Sequence, residues 1–122
     1  MRNLEKYKGV IPAFYACYDK EGNISPEGVQ GLTKYFVKKG VKGVYVNGSS
    51  GECIYQSVED RKIVLENVMK VAEGKLTVIA HVACNNTKDS QELARHAEGL
   101  GVDAIAAIPP IYFHLPEYAI AQ

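Results

Sequence analysis

The 122-residue sequence has no tryptophan and only three cysteines, Cys17, Cys53 and Cys84. They are odd in number and widely spaced, which does not make a disulfide framework, and three free thiols in a reducing compartment are expected. No CxxC or HxxxH spacing accompanies them, so a zinc site is disfavoured and His81 and Cys84 are read as core packing. No apolar run approaches the roughly 18 residues of a membrane span, and the opening MRNLEKYKG is too charged for a secretory signal. The reading is a cytoplasmic protein with no membrane partner. Fourteen basic residues balance fourteen acidic ones and neither sign forms a run, so the electrostatic footprint of a nucleic-acid binder is missing. Small, neutral partners fit that balance. A GxGxxG after the first apolar run is also missing, which weighs against a dinucleotide-binding doubly wound sheet.

What is present is a repeated grammar. With 47% hydrophobic and 23% charged residues the chain supports one globular core. Four apolar runs recur: GVIPAFYA from Gly9, GVYVN from Gly43, LTVIAHVA from Leu76 and VDAIAAI from Val102. They are short and continuous rather than alternating, as parallel strands covered on both faces are. Between them lie punctuated amphipathic segments. Ser25-Pro26 reads as an N-cap with proline at the first helical position, Val29, Leu32 and Phe36 share a face, and Gly40 is the left-handed stop. Ser57 with Asp60 resembles a capping box, Val64, Val68 and Val71 form the stripe, and Gly74 closes it. Thr87 is expected to cap a third helix that buries Leu93, Ala97 and Leu100 and ends at Gly101.

The order β-α-β-α-β-α-β, with an echo between GVKGV at Gly40 and GVDAI at Gly101, points to an α/β fold. An eight-unit closed barrel takes about 250 residues, about 31 per unit. The expected architecture is therefore a (β/α)8 TIM barrel of which residues 1–122 form the N-terminal half of a single domain, roughly the first four β/α units. Such a half leaves its first and fourth strands with unpaired edges and exposes interior apolar side chains, which invites association.

In barrels the reacting groups sit at the carboxyl ends of strands. That rule sets Lys42 and Lys75, which precede strands, on the stability rim. It brings forward Tyr15, Cys17 and Tyr18, then Asn47 to Glu52, His81 to Asn86 and Pro109 to His114. Gly48-Ser49-Ser50-Gly51 presents free amides and two hydroxyls at a strand end, which suits a carboxylate or phosphate. The competing reading is a tight turn whose serines satisfy local backbone groups. Glu52 reads as a carboxylate capping nearby backbone donors ahead of an acid or base. Tyr112 offers a phenol for proton relay, or serves as a rim plug or oligomer contact. His96 is expected to face solvent, His114 has no evident partner, and Lys20 and Lys88 are exposed ammoniums rather than nucleophiles.

Through YDKEGNIS, GVYVNGSSGE, SVEDR, LTVIAHVACNNT and GVDAIAAIPPIY, the chain resembles the class I aldolase family that contains N-acetylneuraminate lyase and dihydrodipicolinate synthase. The resemblance implies a (β/α)8 barrel, usually tetrameric, that holds pyruvate or a keto acid as a Schiff base on a lysine without metal or organic cofactor. It implies a keto-acid carboxylate bound by Gly48, Ser49 and Ser50, with Ser49 and Tyr112 in a proton-relay network. NGSSGE with AHVAC is closer to the sialic acid lyases than to dihydrodipicolinate synthases, which tend to carry a GTTGE-type motif, while NNT leans the other way. The expected reaction is cleavage of N-acetylneuraminate to pyruvate and N-acetylmannosamine. The alternatives are a dihydrodipicolinate synthase-like or other keto-acid aldolase and, in a different class, a non-catalytic half-barrel for binding or assembly. Two positions depart from the family: Ala16-Cys17-Tyr18 stands for its Thr-Pro-Phe turn, and Pro109-Pro110 for the Thr-Pro before the tyrosine. The family's Schiff-base lysine falls beyond Gln122, so the 122 residues alone are expected to be inactive.

Overall fold

The computed structural model describes residues 3–122. Three parallel strands, β1 (Gly43–Val46), β2 (Thr77–His81) and β3 (Ala104–Ala106), lie in the order β1-β2-β3. Gly43 pairs with Thr77 and Val46 with Ala80, and Ala80 pairs in turn with Ile105. The first apolar run, expected as a strand, forms none. It is extended and joins β1 through a single parallel bridge, Ala13 to Tyr45, in which the Phe14 amide donates to Tyr45 O at 2.8 Å and the Tyr45 amide to Pro12 O at 2.9 Å. Pro12 has no N–H to give, so the run cannot extend a regular ladder. It still lies beside β1, and the spatial order follows the chain order as a barrel requires.

Helices α1 (Pro26–Lys39), α2 (Val58–Ala72) and α3 (Thr87–Leu100) link the strands, and a short α4 (Glu117–Ile120) follows β3. The first two begin where the caps predict: Ser25 Oγ accepts from the Gly28 amide and Ser57 Oγ from that of Asp60. The third does not. Asn86, one residue before Thr87, is the cap, its Oδ1 accepting from the Asp89 amide at 2.8 Å, and Thr87 becomes the first helical residue. Asn is at least as good a cap as Thr and already sits three residues from the donor. Gly40 and Gly101 end α1 and α3 in the left-handed region at φ 74° and 78°. No helix of the described residues is long and apolar enough to cross a membrane.

Successive strand residues point to opposite faces. Val44, Val46, Val78 and Ala80 are buried in one core with Val29, Val64, Val68, Ala72, Leu93 and Ala97 of the helices. The opposite row, Tyr45, Ile79 and Ala104, is only half-buried. At the edge of the sheet Ile105 remains 52% exposed. Both observations agree with the exposed surfaces expected of half a barrel.

The helices are held to one another by polar seams. Gln30 Nε2 donates to Asn67 Oδ1 between α1 and α2, and Lys62 Nζ reaches Glu92 at 2.6 Å between α2 and α3. His96, expected to face solvent, lies in this second seam, half-buried with Nε2 2.8 Å from Glu66 Oε1. The side-by-side packing of α2 on α3 turns position 96 inward. At the stability rim Asp103 takes Lys6 Nζ and the Val78 amide, both at 2.9 Å, which pins the N-terminal segment across β2 and β3. Lys42 and Lys75 are exposed at the same rim.

Candidate functional site

At the carboxyl end of β1 the chain leaves the sheet through Asn47, whose φ of 62° is left-handed. Asn tolerates that region better than other non-glycine residues because its short amide finds local partners. Here Nδ2 donates to Arg61 O at 2.9 Å. Gly48 follows with the Tyr45 ring against it, and a Cβ at this position would stand 2.7 Å from Tyr45 Cε1. Ser49 to Gly51 then make one 3-10 turn, with the Gly51 amide on Gly48 O and the Glu52 amide on Ser49 O, each at 3.0 Å. The first amides of such a turn have no partner inside it. Both serines are exposed, and among the described residues neither hydroxyl makes a hydrogen bond to the protein. Their hydroxyls are not used to satisfy the turn; they stand free above it.

Glu52, also left-handed at φ 61°, does not cap backbone donors as expected. Its Oε2 accepts from the Tyr18 hydroxyl at 2.7 Å, because the left-handed residue turns its side chain toward the loop after the first run. That hydrogen bond is the main cause that holds the Tyr18 phenol above its ordinary pKa. Gln56 Nε2 donates to both the Tyr18 hydroxyl and Gly51 O, which ties the turn to this pair.

Beneath the turn lies a buried network. His81, at the end of β2, is 3% exposed and its Nδ1 is 3.0 Å from Asn47 O. A carbonyl only accepts, so Nδ1 carries the proton. Burial lowers the His81 pKa and the Arg61 charge lowers it further, against the opposing bond to Asn47, so the ring is neutral at pH 7. Arg61 is 2% exposed; its Nη2 donates to His81 O at 2.7 Å and its Nη1 to Ala83 O at 2.8 Å and Cys84 Sγ at 3.2 Å. Arg61 closes the SVEDR segment, where no site role is expected of it from the sequence. Its place three and four residues before Val64 and Leu65 was the available signal, since that spacing puts it on the buried face of α2.

A cleft of about 290 Å³ opens beside this network, between Cys53, Arg61, His81, Cys84, Asn85 and Ile111. Asn85 Oδ1 accepts from the Ile111 amide at 2.9 Å and draws the third strand-end loop to the second. A wider hollow, about 660 Å³, lies at the opposite rim among Lys6, Lys42, Thr77 and Asp103, away from the strand ends. Tyr112 is left-handed at φ 80°, 90% exposed, and edge-on to Phe113 with ring centres 4.8 Å apart. The structure thus gathers Gly48, Ser49 and Ser50 on one turn but makes no hydrogen bond between Ser49 and Tyr112 among the described residues. Lys20 and Lys88 are exposed. No three His, Cys, Asp or Glu side chains of the described residues gather as metal ligands.

The fold is shared with known proteins. The chain is 40% identical over 106 residues to an N-acetylneuraminate lyase of Citrobacter koseri, covering 87% of this chain and 36% of the relative. The crystal structure of N-acetylneuraminate lyase from Mycoplasma synoviae superimposes with a TM-score of 0.93 at 35% identity, over 97% of this chain and 41% of that one. A dihydrodipicolinate synthase from Bacillus anthracis superimposes with a TM-score of 0.83 at 27% identity, over 92% and 39%. The chain therefore spans well under half the length of these relatives. They are TIM barrels, and its parallel sheet with covering helices is a part of one. The sequence pattern of the dihydrodipicolinate synthetase family matches residues 6–122, and the chain belongs to that family.

Proposed function

We propose that this chain carries the carboxylate-binding part of a Schiff-base aldolase that cleaves N-acetylneuraminate to pyruvate and N-acetylmannosamine. One observation carries the reading: Ser49 and Ser50 stand exposed and unpartnered on a turn at the carboxyl end of a parallel strand, where barrels place their reacting groups. Gly48 makes room for the Tyr45 ring under the turn, and the two hydroxyls with the turn amides supply neutral donors for a carboxylate. Ser49 and Tyr112 form the proton relay of the complete enzyme, in which Tyr112 must find partners it lacks here. The imine forms on a lysine beyond Gln122, with loss of water. Carbon–carbon cleavage, protonation of the enamine and hydrolysis follow, and no metal or organic cofactor takes part. The complete enzyme is a cytoplasmic homotetramer. The names of the relatives support the sialic acid substrate.

A second reading, condensation of pyruvate as in a dihydrodipicolinate synthase, is favoured by Asn85-Asn86-Thr87 after β2. Substrate profiling of the complete protein separates the two. The first test is the intact mass of the protein, as its host makes it, after incubation with pyruvate and borohydride. A longer chain that gains a reduced pyruvate adduct on a lysine supports the aldolase. A 122-residue chain without adduct overturns it in favour of a non-catalytic half-barrel.

A further inference from the structure

Arg61 is a buried cation that makes no ion pair among the described residues. Its guanidinium contacts are neutral, two carbonyls at and after the end of β2 and the Cys84 sulfur, and its Nε has no partner among the described residues. An arginine retained for pairing would be found against an acid, since an uncompensated buried charge is costly. Arg61 instead uses its fork to grip backbone. Nη2 holds His81 O, the His81 ring donates to Asn47 O, and the Asn47 amide donates to Arg61 O. These three bonds close a ring through Asn47, Arg61 and His81, joining the end of β1, the first turn of α2 and the end of β2. Asn47 is also the left-handed residue from which the Gly48–Ser50 turn departs. The backbone on either side of a strained residue persists only when its surroundings over-determine it, and the ring supplies that restraint.

We infer that Arg61 and Asn47 are positioning residues for the carboxylate site: the ring fixes the direction in which the Ser49 and Ser50 donors point. This rests on the proposed aldolase reading. Both side chains are buried and spend their polar atoms largely on backbone carbonyls, so their effect on the site is carried by the serine turn and is read as affinity for the keto acid.

Asn47→Gly and Arg61→Lys in the complete protein test it, with pyruvate as the probe and borohydride trapping as the readout. Glycine keeps the left-handed backbone at no steric cost but removes the tether. Lysine keeps the charge but cannot span two carbonyls. The expected result is a rise of about tenfold in the half-saturating pyruvate concentration for Asn47→Gly, the cost of one lost restraining bond. Thermal melting stays close to the parent's. Arg61→Lys moves in the same direction; if it does not fold, Asn47→Gly decides alone. A parent that traps pyruvate alongside folded variants that saturate at the parent's concentration overturns the inference while leaving the aldolase standing. A parent that traps no pyruvate overturns the aldolase reading and the inference with it.

Discussion

Tyr18 and Glu52, on different strand-end loops, meet in a 2.7 Å hydrogen bond in which the phenol donates to the carboxylate. The bond joins the loop after the first run to the far side of the serine turn, and it raises the Tyr18 pKa above the ordinary 10.0. In Glu52→Gln the negative acceptor is gone, and the phenol of Tyr18 is expected to ionise at lower pH than in the parent. Ultraviolet difference titration of both proteins, with Tyr18→Phe to identify the signal, measures this. Coincident Tyr18 midpoints in parent and variant would contradict the pairing.

Acid should weaken the fold through His81. In the unfolded chain the imidazole takes a proton near 6.5, whereas burial and the Arg61 charge hold it below that value in the fold. The unfolded state then binds more protons, so stability is full above about pH 6.5 and is lost as the pH falls below it toward the depressed folded value. Urea midpoints at pH 7, 6 and 5 are expected to fall in sequence. In His81→Asn, whose amide nitrogen can replace Nδ1–H but does not titrate, that part of the slope disappears. Equal slopes in the two proteins would remove His81 from the account.

Two glycines give opposite expectations. A Cβ on Gly43 would lie 2.2 Å from Thr77 O across the β1–β2 ladder, and a backbone carbonyl held in a sheet cannot yield. Gly43→Ala is expected to cost about 3 kcal/mol through overpacking. Gly31, exposed inside α1, has nothing within 4 Å of its would-be Cβ. Gly31→Ala is expected to stabilise by about 0.5–1 kcal/mol, because glycine loses more backbone freedom in a helix than alanine does. Denaturant melts of the two variants check the pair, and a neutral Gly43→Ala would show that the strands can spread.

The difference between these sites tracks what was legible beforehand. Caps and stops are local, so Ser25-Pro26 with Gly40, and Ser57 with Asp60, announce their helices over a few residues. Three of the four apolar runs mark strands, and the strand-end rule brings the serine turn forward. The run from Gly9 reads as a strand but is not one, because an apolar run says nothing of which amides a ladder needs and Pro12 has none to give. The Asn47, Arg61 and His81 ring was invisible for another reason: its bonds run largely through backbone carbonyls, and a carbonyl carries no residue identity. Tyr18 with Glu52 was missed because a bond spanning 34 positions depends on the left-handed turn at Glu52.

Ser49→Ala separates ligand binding from folding more cleanly than any other substitution. The Ser49 side chain is exposed and its hydroxyl bonds to nothing in the protein among the described residues, so the fold should change by no more than about 0.5 kcal/mol. If the hydroxyl donates to a keto-acid carboxylate, its removal costs about 1 to 3 kcal/mol of binding or transition-state stabilisation in the complete enzyme, the range for a hydrogen bond to a charged group. A loss confined to KM for the keto acid places Ser49 in binding alone. An equal fall in kcat and kcat/KM places it in the proton relay, because that interaction exists only in the transition state. Kinetics unchanged from the parent, alongside an unchanged melt, would leave Ser49 with no part in the reaction and move the carboxylate site to the turn amides and Ser50.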